Sequence, residues 1–162
     1  MGEILRHAGC IKGFVPSTRV HSGAMDETFH IYLSSKDSVT THNNSPSDFS
    51  KQLPERVQLE GGKWVCGLLE LILPKNPPKP LYVCSDICSN SIIDDFKLPV
   101  LGRITTKTTR PNNITFVNVN VRELSSIRIY LREDFRTQPS FSSGISYCTL
   151  RFQRDEAVST YP

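Results

Sequence analysis

Apolar residues in this chain recur with period two, in short runs cut apart by proline, glycine and polar clusters. The plainest run is Ile127, Ile129 and Leu131, alternating with Arg128, Tyr130 and Arg132. Side chains of an extended strand point alternately to its two faces, so this run buries one face and wets the other. A helical period of 3.6 residues is not sustained anywhere along the sequence. That feature excludes helical bundles and alternating α/β folds, and it leaves antiparallel sandwiches and barrels.

The remaining strands follow from the same rule. Phe29, Ile31 and Leu33 alternate with His30, Tyr32 and Ser34. A polar loop follows, Ser34 to Asp48. Val57 and Leu59 alternate again, and Gly61-Gly62 can supply positive φ at both centres of a tight turn, which predicts a hairpin. Trp64 to Leu73 is almost continuously apolar and reads as a central strand buried on both faces. Lys75 to Pro80 holds three prolines and can join no ladder. Leu81 and Val83 open another strand, Ser89 to Lys97 reads as a loop leaning on the core, and Leu98 to Thr106 as a strand. Lys107 to Asn113 is a polar loop, Phe116 to Val121 a strand, and Glu133 to Gly144 a loop. The last strand, Ile145 to Phe152, sets Tyr147, Thr149 and Arg151 on one face and Cys148, Leu150 and Phe152 on the other.

The expected fold is all-β: a single eight-stranded antiparallel jelly-roll sandwich with a flexible N-terminal arm. An immunoglobulin-like sandwich is the alternative, although Cys66 follows Trp64 by only two residues and does not reproduce the usual Cys–Trp–Cys arrangement. The arm is residues 1–27, the domain 28–154 and a C-terminal tail 155–162. Trp64, Leu68, Leu71, Val83, Val119, Ile129, Leu131, Leu150 and Phe152 are the expected core.

Composition narrows function by exclusion. The chain has 162 residues, 38% of them hydrophobic, which suffices for a real core. The longest apolar run is broken by Gly67 and Glu70, short of the ~20 residues of a membrane span. Met1 to Arg6 carries no apolar secretion segment. Five cysteines, an odd number spread widely, read as reduced buried thiols. In an extended strand Cys84 and Cys88 would stand ~13 Å apart, too far to chelate one ion. The histidines His7, His21, His30 and His42 have no ligand spacing, so no metal and no cofactor is expected. The carboxylate pairs Asp26-Glu27, Asp94-Asp95 and Glu133-Asp134 read as solvated, and no nucleophile or phosphate-loop motif occurs, so no enzyme is expected. Net charge is +3. Arg103, Lys107 and Arg110 form a basic cluster without aromatic interleaving, so direct nucleic-acid contact is not expected. Leu59 to Lys63 (LEGGK) has the form of a maturation-protease site, but cutting there would sever two core strands, and the turn reading is preferred.

Three blocks taken in order carry a resemblance. The first is FHIYLSS, Phe29 to Ser35, continuing through NSPSDFSKQLP and VQLEGGKWVCGLLEL to Leu71. The second is LYVCSDI, Leu81 to Ile87, followed by PVLGRI, Pro99 to Ile104. The third is LSSIRIYLRED, Leu124 to Asp134, followed by PSFSSG and CTLRF, ending at Phe152. Together they resemble a small structural protein of Polinton/Maverick elements and adintoviruses, double-stranded DNA elements with adenovirus-like virion genes. The resemblance covers Phe29 to Phe152; family copies often show an aromatic residue where this chain has Cys84.

The resemblance implies a minor capsid, penton-like protein: a single jelly roll closing a ring at capsid vertices. Its partners would be further copies of itself, a pentamer before a trimer, and the major capsid protein. Its place would be the virion, assembled inside the host cell. The major capsid protein itself, a double jelly roll, is excluded by length. Expected interface residues are Ile4, Leu5, Ile11, Phe14 and Val15 in the arm and Phe96, Phe135 and Phe141 in loops; the alternative is that these phenylalanines cover the domain's own core. A second functional reading is a fibre-head or lectin-like module for a host receptor or glycan. Its site would lie at Ser34–Asp48 with Lys107–Asn113.

Overall fold

A computed structural model describes residues 27–36, 43–134 and 136–155. Among them lie eleven strands and no helix. In chain order they are β1 (Thr28–Ser34), β2 (Asp48–Gln58), β3 (Trp64–Ile72), β4 (Leu81–Ser85), β5 (Ser91–Ile93), β6 (Phe96–Leu98), β7 (Val100–Ile104), β8 (Thr108–Thr109), β9 (Phe116–Asn118), β10 (Glu123–Arg132) and β11 (Tyr147–Arg154). Every pairing between them is antiparallel. One sheet runs β1-β11-β3-β8, with β9 also on β3; a second runs β2-β10-β4-β7; β5 and β6 form a hairpin of their own. The all-β expectation holds. The count differs from the expected eight, because the segment read as a loop at Ser89–Lys97 forms most of the hairpin and the polar loop Lys107–Asn113 contains β8.

Both sheets turn their apolar faces onto one core. Leu68, Leu71, Leu150 and Phe152 come from the five-stranded sheet, and Phe49, Val83, Ile129 and Leu131 from the four-stranded one. Each fully buried side chain of this kind contributes ~1.5–3 kcal/mol relative to an exposed one. Val119, expected in the core, is only half-buried against it. The Phe29 ring stacks on Phe152 with centroids 4.9 Å apart and an interplanar angle of 3°, and Trp64 tilts against Phe29 at 5.6 Å.

The near-continuous apolar run of β3 has two causes. Trp64, Cys66 and Leu68 face inward; opposite them the ladder slips between Thr149 and Leu150, and the inward phase resumes at Leu71. A bulge of this kind shifts the alternation by one residue. The outer face is covered as well. Arg151, Gly67 and Phe116 stand side by side on β11, β3 and β9, and the Arg151 guanidinium reaches over Gly67 to lie 5.9 Å from the Phe116 ring.

The hairpin expected at Gly61-Gly62 is not formed. Both glycines do have positive φ, 78° and 139°. The strands they connect, however, lie in different sheets, so the turn carries the chain from one layer to the other. Five residues separate the strands, and Leu59 is buried with its N–H donated to Arg122 O at 2.9 Å, which draws the chain off the β2 plane. Arg154 closes the corner: its guanidinium packs against Gly61 and donates to Glu27 Oε2 at 2.6 Å.

Two glycines test this packing. A Cβ on Gly67 would collide with Ile114 Cγ2 and press on Phe116 at 3.1 Å, whereas one on Gly102 would meet only Leu68 Cδ2 at 3.7 Å. Gly67→Ala is expected to cost ~1–3 kcal/mol by overpacking. Gly102→Ala is expected within ~0.5 kcal/mol of the parent, aided by lower unfolded-chain entropy. Urea denaturation of the two variants gives the comparison.

Candidate interaction surfaces

The expected interface residues divide sharply. Ile4, Leu5, Ile11, Phe14 and Val15 lie outside the described residues, as does Phe135. Phe96 stands on β6, 37% exposed, with the Arg136 guanidinium 6.0 Å from its ring. Phe141 packs against the core, and Lys75 Nζ sits 5.9 Å over its ring. Of the loop phenylalanines described, Phe96 is thus the more exposed.

Three larger exposed apolar residues were not singled out from sequence: Tyr32 (77% exposed), Ile92 (74%) and Tyr147. Period two does place both tyrosines on outward faces. Their adjacency comes from register: Tyr32 opposes Thr149 while Ser34 opposes Tyr147, so the rings are diagonal neighbours on the outer face of the five-stranded sheet. Ile92 stands on β5 beside a turn in which Asp94 adopts φ 50°. Asp94 and Asp95 sit exposed in that turn.

The basic cluster read from the sequence is not one surface. Arg103 opposes Tyr82 on the outer face of the four-stranded sheet. Arg110 pairs with Glu70, a residue of the other sheet. Aromatic residues do interleave with cations, across and along strands. Arg128 and Arg132 lie 5.2 and 5.3 Å from the Tyr130 ring, and Arg132 opposes Tyr82. Arg128 is a fork onto Asp48, at 2.8 and 2.6 Å, and this hydrogen bonding raises its already high pKa.

Among the described residues, no three of His, Cys, Asp and Glu converge as a metal site. Cys66, Cys84, Cys88 and Cys148 are free and buried. Hydrogen bonding to Cys88 and burial push the Cys66 thiol far up, and burial alone does so for Cys148; burial, partly offset by the Arg132 guanidinium, takes Cys84 to about 12. Thiols held in this form neither ionise nor attack at neutral pH. In a Cys10→Ser variant, none of these four is expected to react with Ellman's reagent while the protein stays folded, and all four after denaturation; fast labelling of any of them in native protein would contradict the packing.

The two ends of the sandwich differ. At one end Ser34, Tyr147, Ile72 and Thr108 stand side by side, so the loops after β1 and before β8 leave the same end of the sheet. There Ser146 donates its N–H to Ser35 Oγ at 2.9 Å and its hydroxyl to Pro46 O at 2.6 Å, tying the closing loops together. At the other end is a cleft of about 330 Å³, between the β2–β3 corner and the segment leading into β10; Lys63, Trp64, Asn118, Asn120 and Arg122 are among its lining residues. The Trp64 indole N–H donates to Glu60 O at 3.0 Å, and Val119 N–H to Trp64 O at 2.9 Å. Nothing in the local pattern marked this cleft, because its walls come from residues 59–64 and 118–122, far apart in the chain.

No protein-family model matches the chain, and no curated protein matches it.

Proposed function

We propose that the chain is a structural virion protein, a penton-like minor capsid component of a double-stranded DNA virus or virus-like element, built as a single jelly roll. The observation that carries the fold half of this reading is strand order. Take the β5–β6 hairpin as an insertion, and β8 and β9 as two pieces of one interrupted strand. Eight strands then remain, and the sheets read 1-8-3-6 and 2-7-4-5. That is the order produced by a jelly roll's two Greek keys. An immunoglobulin-like sandwich would instead pair its first two strands in one sheet, whereas β1 and β2 lie in different sheets.

Fold alone does not assign a role. The capsid half rests on the resemblance of the three sequence blocks to virion proteins of Polinton/Maverick elements and adintoviruses. Exposed apolar groups at several separate places suit it. Tyr32 and Tyr147 lie on one sheet's outer face, and Ile92 and Phe96 on a projecting hairpin. A ring needs two different surfaces on each copy, since a heterologous contact closes only when its rotation returns to the start. The arm, residues 1–27, would pair with a neighbouring copy or with the major capsid protein.

Light scattering of the full-length chain, and of a chain beginning at Asp26, tests the reading. A pentamer that dissociates without the arm is the expected result. A stable trimer favours a fibre-head role, and a monomer in both removes self-assembly as an autonomous property. Tyr32→Ser and Ile92→Ser, both at exposed positions, are expected to change stability by no more than ~0.5 kcal/mol. In the same measurement at least one of them should weaken the oligomer.

A further inference from the structure

We propose that the cleft at the Trp64 end of the sandwich binds an acidic saccharide unit, gripping its carboxylate between Lys63 and Arg122. This goes beyond the capsid reading and does not depend on it; the site also lies at the opposite end from the loops the glycan-binding alternative named. Four observations support it.

The first is charge. Lys63 and Arg122 both line the cleft and both are exposed, while no acidic residue lines it. Neither side chain has a hydrogen bond or ion pair among the described residues. Of the carboxylates near these elements, Glu123 is engaged with Arg56 at 3.2 Å and with Gln58, and Glu27 with Arg154 at 2.6 Å; Glu60 of the same corner, and Asp155, whose N–H donates to Lys63 O at 2.8 Å, do not line the cleft. Two unpaired cations on one small concavity suit a carboxylate, which a guanidinium can hold through two parallel N–H donors.

The second is the pair of amides. Asn120 Nδ2 donates to Cys88 O at 3.1 Å, which orients the group and leaves Oδ1 as an acceptor. Asn118 stands exposed at the end of β9 and offers both a donor and an acceptor. Amides of this kind read hydroxyl groups, which an inorganic anion lacks. The third is the apolar lining. Val119 and Val121, both half-buried, supply the non-polar surface against which the C–H face of a sugar ring can lie, with the edge of the buried Trp64 behind them.

The fourth is preorganisation. Leu59 N–H to Arg122 O, Val119 N–H to Trp64 O and Asn120 N–H to Ile87 O, each at 2.9 Å, tie the walls together before any ligand arrives. A site already ordered loses less entropy on binding. The volume of about 330 Å³ leaves room for one sugar ring with its exocyclic groups.

Trp64 is the sole tryptophan, so its emission reports on this cleft alone. The full-length chain is titrated with sodium glucuronate, with glucose and with acetate at constant ionic strength, and calorimetry repeats each titration. Glucuronate is expected to saturate with a dissociation constant of about 1 mM, as befits a ligand of that size. Glucose and acetate should give no saturable response in the same range. Lys63→Ala and Arg122→Ala should each weaken glucuronate about tenfold, the loss of one charge-assisted contact, with the thermal midpoint unchanged. The proposal is overturned if glucuronate does not saturate, if acetate matches it (a simple anion spot), if glucose matches it (no role for the cations), or if both substitutions leave binding intact.

Discussion

Each sheet is organised around a strand supplied by the last third of the chain. β11 lies between β1 and β3, and β10 between β2 and β4. Until these two are in place, β1, β2 and β3 lack their main partners, and β4 has only β7. Their inward residues are also among the most deeply buried, with Ile127, Ile129, Leu131, Leu150 and Phe152 all without solvent contact. One set of residues therefore supplies the ladder bonds of both layers and the centre of the core. Pairings this distant in sequence require large loop closures before they are rewarded, so folding of this topology is intrinsically slow.

The outer faces show what the sandwich does with its remaining groups. On the five-stranded sheet, Gly67 lacks a side chain so that Ile114, Phe116 and Arg151 can close over β3. On the four-stranded sheet, Arg128 and Arg132 hold the two sides of Tyr130, and Asp48 neutralises the first of them. That pair is partly exposed, so its contribution is modest, and its main effect is to orient the guanidinium. The faces are thus polar but ordered. The exposed apolar side chains stand apart from these clusters, at the Tyr32–Tyr147 diagonal and on the hairpin.

This separation suits the proposed ring. Contacts between copies would use a sheet face and the β5–β6 hairpin, and neither end of the sandwich. One end is closed by the serine latch of Ser35 and Ser146, and the other carries the cleft beside Trp64. An assembly role and a ligand role would then occupy different parts of the same molecule, and each could fail without the other.

How much of this was legible in the sequence follows from the range of each interaction. The alternation of Phe29–Ser34, Ile127–Arg132 and Tyr147–Phe152 named the strands and their inward faces, because the pleat acts between adjacent residues. The doubly buried strand at Trp64 was legible for the same reason. The positive φ of Gly61 and Gly62 was readable as well, but not which strand would follow as a partner. A glycine pair permits a turn; whether that turn makes a hairpin or a crossing between layers is decided by where the flanking strands find hydrogen bonds, and here those lie on β10 and β11. The Ser91–Leu98 hairpin was missed because its strands are three residues long and show too little period to register. The cleft, the Tyr32–Tyr147 diagonal and the scattering of Arg103, Lys107 and Arg110 were beyond any local reading. The all-β class, most strand positions and the core-facing side chains could be read from the residues alone, since these depend on near neighbours. Sheet order, register and the surfaces they create emerge only in the folded chain, since these depend on pairings between residues far apart in sequence.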